Sequence, residues 1–127
     1  KMARKRLARI DFLGHLDNDR FSAAMAGCDV VVLPYAEVGQ RSSGPASMAI
    51  DLNKRILCSR TICFSQLNAY AGALELFEIG NHAELAEKLQ REDRNQRERQ
   101  LHLNAYNIRS RADLYRHAAE QLLAKGR

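Results

Sequence analysis

The residues best suited to chemistry lie in one loop, between an apolar run and a helix. Val30–Leu33 carries no polar side chain, and the loop after it reads Pro34-Tyr35-Ala36-Glu37-Val38-Gly39-Gln40-Arg41-Ser42-Ser43-Gly44-Pro45. Backbone N–H groups at a helix start, with the hydroxyls of Ser42 and Ser43, can bind an anion. Arg41 adds a charge suited to phosphate. The loop is therefore a candidate phosphate site; the alternative is a plain turn in which Ser43 only caps the helix.

Other side chains with reactive potential form no recognised constellation. His15 could face the same crevice or lie on the surface, and Glu37, the only carboxylate of the loop, could act in the site or be a solvated charge. The remaining histidines have no ligand spacing with cysteines or acidic residues, so we expect no metal and no cofactor. The phosphate-loop and nucleophile-elbow motifs do not occur in the sequence.

Composition restricts the class of protein. The chain of 127 residues has a net charge of +5, concentrated in residues 1–9 and 91–111. That charge attracts nucleic acid, anionic lipid or phosphorylated small molecules without choosing among them. Residues 91–111 also hold acidic side chains, as a solvated helix face does, and lack interleaved aromatics, so we expect no nucleic-acid partner. Peripheral contact with an anionic membrane stays open.

The expected compartment is the cytoplasm, at most peripheral to the inner face of the membrane. No apolar run approaches the roughly 20 residues of a membrane helix, and no secretory signal pattern is present. The three cysteines, Cys28, Cys58 and Cys63, are odd in number and lack a C-x-x-C spacing. They are typical of small buried hydrophobic side chains in a reducing compartment.

Apolar runs and helical patterns alternate, which predicts an α/β fold with a parallel sheet and flanking helices. We expect parallel strands at residues 10–13, 30–33 and 55–58, with Val31 and Val32 buried on opposite faces. A further strand is predicted at 74–77 and helices at 46–52 and 64–70. Asp17 is a candidate N-cap for a helix that buries an apolar face; the members of that face are Phe21, Ala24, Met25 and Cys28.

The chain is predicted to be a single domain over 1–127, with a helical tail over 81–127. Asn81 can cap the first helix of this tail, whose apolar positions are Leu85 and Leu89. A final helix should end near Gly126. Its apolar stripe comprises Ala112, Tyr115, Ala119, Leu122 and Leu123.

Several segments together resemble the C-terminal domain of GT-B glycosyltransferases, and more narrowly the retaining glycosyltransferase group 1 (family 4). Residues 10–14 match its F-L-G strand, Cys28-Asp29-Val30-Val31-Val32-Leu33-Pro34-Tyr35 its A-D-V-x-V-L-P strand, and Ser43-Gly44 its Gly/Ser loop. Residues 49–59 match its helix-to-strand turn, and residues 77–86 its f-x-x-G-d-x-x-e-L-a stretch. The similarity covers residues 10–89, and it rests on the order and spacing of these motifs together.

The resemblance implies a Rossmann-like domain that transfers a sugar from a nucleotide-sugar donor to an acceptor, without a metal. It implies that Gln40 lies near the sugar as the catalytic-position residue. It also implies a donor-binding set comprising Tyr35, Arg41, Ser42, Ser43 and Gly44. The acceptor would bind a separate N-terminal domain, and two strand–helix units that precede residue 10 in the family are not found. The chain would then be a fragment or a shortened relative of such an enzyme, and inactive alone.

The sequence departs from the family pattern at named positions. The two signature glutamates, seven residues apart, are Gln40 and Met48 here; Gln40 can still hydrogen-bond a sugar hydroxyl, whereas Met48 cannot usefully accept from a ribose. Asn53 stands at a family glycine, a position that asparagine tolerates in the left-handed conformation. Arg55 replaces a proline. These changes leave a second hypothesis, a non-catalytic α/β interaction module with a degenerate donor site.

Overall fold

A computed structural model describes residues 9–71, 73–94, 96–106 and 108–126. Helices and strands alternate and are followed by a helical C-terminal part, so the predicted α/β class is confirmed. The elements are α1 (Asn18–Gly27), β1 (Val30–Leu33), α2 (Gly44–Asp51), β2 (Arg55–Ser59), α3 (Ile62–Ala71), β3 (Glu75–Phe77), α4 (His82–Leu89), α5 (Gln96–Tyr106) and α6 (Ile108–Lys125).

The three described strands form one parallel sheet in the order β1-β2-β3. The predicted parallel strands at 30–33 and 55–58 are confirmed, with Val31 paired to Ile56. All five residues of the central strand β2 are buried, as expected for a parallel strand covered on both faces. On the edge strand β1, Val31 is buried but Val32 is only half-buried. The predicted burial of Val32 is therefore wrong, because an edge strand is covered less completely than a central one.

The strand predicted at residues 10–13 is not formed. Ile10, Phe12 and Leu13 lie in irregular backbone and are 71%, 94% and 63% exposed. A short apolar run becomes a strand only where a neighbouring strand supplies hydrogen-bond partners. Neither edge of the described sheet pairs with this segment. Ile10, Phe12 and Leu13 are apolar, as the prediction assumed, but no strand of the described sheet pairs with them.

Local capping signals were identified correctly. Asp17 accepts a hydrogen bond from the Arg20 N–H at 2.9 Å and starts α1. Asn81 accepts from the Glu84 N–H at 3.0 Å and starts α4. Helix α2 begins two residues earlier than predicted, at Gly44, because Pro45 fits the first turn, where its missing N–H costs nothing.

The hydrophobic core lies where the sheet meets its flanking helices. Cys58 and Cys63 are buried within it and Cys28 is half-buried at its margin, and all three are free thiols. Burial, reinforced by the neighbouring Cys63 thiol, raises the pKa of Cys58 to about 12. On α1, Met25 reaches this core, whereas Ala24 is exposed, so its predicted place on the buried face is wrong.

A buried arginine joins the sheet to the helical part. Arg55 is 7% exposed and its guanidinium contacts both carboxylate oxygens of Glu75, at 2.8 and 3.0 Å. It also donates to the carbonyl oxygens of Lys88 (2.7 Å) and Arg91 (2.8 Å) at the end of α4. The hydrogen bonds that Arg55 donates to Glu75 raise the pKa of Arg55, so its charge is permanent. Arg55 is therefore a structural anchor.

The predicted helical tail is confirmed for its described residues, as α4, α5 and α6. Helix α6 ends at Lys125, immediately before Gly126. Its large apolar side chains are nevertheless exposed: Tyr115 is 76%, Leu122 72% and Leu123 70% accessible. No helix in the described ranges is both long enough and apolar enough to cross a membrane.

Candidate functional site

The loop between β1 and α2 and the start of α3 lie at the same edge of the sheet. Both follow the carboxyl end of a parallel strand, and this is where ligands bind in open α/β sheets. Their proximity is direct, because Glu37 in the loop accepts a hydrogen bond from the Ile62 N–H in the first turn of α3. The structure therefore places the loop singled out from the sequence at this edge of the sheet.

Ser43 is the N-cap of α2 and is buried, with 5% of its surface exposed. Its hydroxyl oxygen accepts from the Ala46 N–H at 3.2 Å, and its carbonyl oxygen accepts from the Ser47 N–H at 3.1 Å. The Tyr35 hydroxyl lies 3.3 Å from the Ser43 hydroxyl oxygen. The Ser43 side chain is thus used inside the protein, and only its backbone remains for a ligand.

Gly44 provides the open hydrogen-bond donor of this helix end. The first N–H groups of a helix have no partner within it; in α2, however, Pro45 has no N–H and the Ala46 and Ser47 N–H groups bond to Ser43. A Cβ atom added at Gly44 would meet nothing within 4 Å. The anion-binding capacity of α2 therefore rests on the Gly44 N–H, and the space beside this residue is free.

Gln40, Arg41 and Ser42 are exposed on the outer part of the loop. The Gln40 amide nitrogen donates to the Ser42 carbonyl oxygen at 2.5 Å, which folds the side chain along its own loop. No acidic side chain of the described residues pairs with Arg41, so its positive charge faces solvent, three residues before Gly44. This is the part of the loop that a bound anion could reach.

Tyr35 holds the start of the loop in place through its ring and its backbone carbonyl. Its ring packs against Phe64 of α3, with centroids 5.0 Å apart and planes inclined by 43°. Its carbonyl oxygen accepts from the Ser59 hydroxyl at 2.6 Å, which connects the loop to the end of β2. Of the predicted donor-binding residues, Tyr35 and Ser43 are therefore packed beneath the loop, and Arg41, Ser42 and Gly44 are at its surface.

Glu37 has a structural partner that the sequence alone did not indicate. Its carboxylate accepts from the Ile62 N–H at 2.7 Å and from the Gly39 N–H at 3.3 Å. From the sequence, Glu37 could be either a reactive carboxylate or a solvated charge, because Ile62 is 25 residues away along the chain. The order of strands and helices could have indicated this contact, because a helix that begins after β2 starts at the same sheet edge as the loop after β1.

Two positions named by the resemblance can also be located. Met48 is half-buried against the core, so it contributes packing on α2. Asn53 has a φ of 52°, and this confirms the left-handed conformation expected at the family glycine position. Its side-chain nitrogen donates to Gln100 of α5 at 3.2 Å.

No cluster of three potential metal-ligating side chains occurs in the residues that the structure covers. Comparisons with protein-family models, curated proteins and solved structures give no match for this chain. The fold and site thus define an α/β protein with a polar, solvent-accessible loop at the carboxyl edge of its parallel sheet.

Proposed function

We propose that this chain supplies part of the donor-binding domain of a GT-B glycosyltransferase, which transfers a sugar from a nucleotide sugar to an acceptor. The observation that carries the proposal is the open Gly44 N–H at the start of α2 and at the carboxyl edge of a parallel sheet, three residues after the exposed Arg41. The order of sequence motifs shared with the group 1 family supports the same assignment.

In this proposal the donor diphosphate lies against Gly44 and Arg41. The helix dipole and the guanidinium offset the charge that develops on the departing diphosphate, which is how such a site works without a metal. Gln40 faces the transferred sugar and hydrogen-bonds one of its hydroxyl groups. The acceptor binds to a separate N-terminal domain, which would be the principal partner of this chain.

A non-catalytic interaction module is the second candidate, and a specific observation favours it. Gln40 and Met48 occupy the two positions where the family carries glutamates; Met48 packs on the core, and Gln40 already bonds to its own loop. A module of this kind would keep the sheet and the loop but would not bind nucleotide diphosphates.

Titration calorimetry with uridine, guanosine and adenosine diphosphates tests the proposal on the full chain. We expect one of them to bind, and Arg41→Met to weaken its affinity by about tenfold to a hundredfold, as loss of a charge-assisted hydrogen bond does. Gly44→Val should weaken the same binding by filling the space that the phosphate needs.

Gly27→Val is the matched control for the second variant. An added Cβ at Gly27, at the end of α1, also meets nothing within 4 Å, so this variant should bind as the parent chain does. Gln40→Ala should retain diphosphate affinity, because its side chain faces the sugar. If none of the three diphosphates binds to the parent chain, the interaction module replaces the glycosyltransferase proposal.

A further inference from the structure

Two helices begin at the candidate site, and an acidic side chain covers the start of only one of them. Helix α2 starts with the Gly44 N–H, which has no partner among the described residues, whereas the first N–H of α3 is bonded to Glu37. There the Ile62 N–H donates to Glu37 at 2.7 Å, the Phe64 N–H to the Thr61 hydroxyl at 3.3 Å, and the Ser65 N–H to the Thr61 carbonyl oxygen at 2.9 Å. An acidic side chain at this position also satisfies the helix dipole.

The same carboxylate holds the loop. One oxygen accepts from Ile62 and the other from Gly39, so Glu37 joins the start of α3 to the residue immediately before Gln40. Tyr35 and Ser43 anchor the two ends of the loop. Between them Glu37 makes the hydrogen bond that connects the loop to another element, while the Val38 side chain is 74% exposed.

We propose that Glu37 is a positioning residue that docks its carboxylate on the N-terminus of α3, holds Gly39 and Gln40 over the crevice, and directs the donor diphosphate to the Gly44 end of α2. The inference rests on the proposed function for its ligand. Both oxygens of Glu37 already receive backbone N–H groups, so its role is exerted on the loop and on α3 rather than on the sugar.

The occupied N-terminus of α3 has a specific consequence. With Glu37 in place, its negative charge keeps an added phosphate away from the start of α3, and the Gly44 N–H of α2 remains for the phosphate. Without the Glu37 carboxylate the Ile62 N–H loses its acceptor, and α3 becomes a second anion site at the same edge of the sheet. A role limited to general stability would not create a new anion site, and this difference makes the proposal testable.

The experiment compares Glu37→Ala and Glu37→Gln with the parent chain by amide hydrogen exchange and by chemical-shift titration with inorganic pyrophosphate. In Glu37→Ala we expect the Ile62 and Gly39 amides to exchange about fivefold faster, since each loses one hydrogen bond. Pyrophosphate should shift only the Gly44 amide of the parent chain but both the Gly44 and Ile62 amides of Glu37→Ala.

Glu37→Gln should restore most of the Ile62 protection, because its amide oxygen can accept the same hydrogen bond. Glu120→Ala is the control: it removes the same charge from an exposed position on α6 and should match the parent chain. The Leu57 amide in the centre of the sheet reports global unfolding. If Glu37→Ala also exchanges faster at Leu57, that variant is globally destabilised, and the comparison of Glu37→Gln with the parent chain decides the outcome instead.

The outcomes separate this inference from the proposed function. Unchanged exchange at Ile62 and Gly39 in Glu37→Ala overturns the inference, as does the absence of a pyrophosphate shift at Ile62. If exchange and shift behave as expected but no nucleoside diphosphate binds to the parent chain, the holding role of Glu37 stands and the glycosyltransferase proposal fails. If the parent chain and Glu37→Ala bind the nucleoside diphosphate equally tightly, the proposed function stands and the positioning role is overturned.

Discussion

The central strand β2 and the final helix α6 are both rich in apolar residues, yet their surroundings are opposite. Ile56, Leu57 and Cys58 are completely buried between neighbouring strands and helices. On α6, Leu114, Leu122 and Leu123 are between 67% and 72% exposed. Apolar patterning thus predicted an element in both cases, but burial followed only where other elements surround it.

Helix α5 lies between these extremes and shows what attaches the tail. Arg99 is 1% exposed and forms an ion pair with Asp93, with one guanidinium nitrogen 3.0 Å from the carboxylate. Asn53 reaches Gln100 on the same helix. The Arg99–Asp93 pair joins two segments of the tail itself. The tail is attached to the rest of the chain by the Asn53–Gln100 hydrogen bond and by the bonds from Arg55 to the carbonyl oxygens of Lys88 and Arg91, whereas the described part of α6 adds little burial.

The largest contrast should appear when a core side chain and an α6 side chain are truncated. Phe64 is fully buried and packs against the Tyr35 ring, so Phe64→Ala should lower the free energy of unfolding by about 3–5 kcal/mol. Leu123→Ala, at an exposed position, should change it by less than about 0.5 kcal/mol. Urea denaturation followed by circular dichroism measures both. Equal losses would show that α6 is packed in solution.

A smaller but still large effect is expected at the anchor of α5. Arg99→Ala removes the buried guanidinium from the ion pair with Asp93, and the expected cost is about 3 kcal/mol, near the lower end for a broken buried pair because Asp93 is partly exposed. The exposed Arg116–Asp113 pair on α6 is the control. Arg116→Ala should cost less than about 1 kcal/mol in the same assay.

The exposed apolar side chains should also make the chain self-associate. Tyr115, Leu122 and Leu123 on α6, together with Phe12, present apolar surface that water disfavours. In sedimentation velocity we expect assemblies larger than the monomer, and Leu122→Glu should shift them toward the monomer. Ala124→Glu, on the opposite side of α6, should change the distribution much less. A monodisperse parent chain would contradict this prediction.

Cysteine reactivity should separate the core from its margin. At pH 8 the buried Cys58, with its pKa raised to about 12, should not react with iodoacetamide in the folded chain. Burial and the charge of Glu37 likewise raise the pKa of Cys63. Cys28, half-buried at the end of α1, should be modified first. Mass spectrometry of peptides locates the label, and early modification of Cys58 would show that the sheet opens.

The smallest expected effect is the acid response of Glu84. The hydrogen bond from the Glu78 N–H, together with Lys88 and Arg60, lowers the pKa of this carboxyl from its ordinary 4.5. A lowered folded-state pKa stabilises the fold above the ordinary value, and this contribution is lost as pH falls through the folded pKa. Glu84→Gln should therefore flatten the acid limb of the urea midpoint, whereas Glu120→Gln should not.

Much of the local structure could be predicted because its causes lie within a few residues. Each of the N-caps Asp17, Ser43 and Asn81 accepts a hydrogen bond from the N–H three residues later. Asn53 adopts the left-handed conformation that its turn needs. The run Val30–Leu33 forms a parallel strand as its composition indicated. The loop that carries Gln40, Arg41 and Gly44 was likewise located by its position between that strand and α2.

Most of the helices and strands, their caps and the loop between β1 and α2 therefore follow from the sequence, because side-chain chemistry and short hydrogen bonds decide these locally. Tertiary packing, in contrast, leaves residues 10–13 without a partner strand, joins Glu37 to α3 across 25 residues, and leaves the apolar side of α6 exposed. Each of these depends on which surfaces meet, and a contact between distant segments leaves no periodic signal in either one.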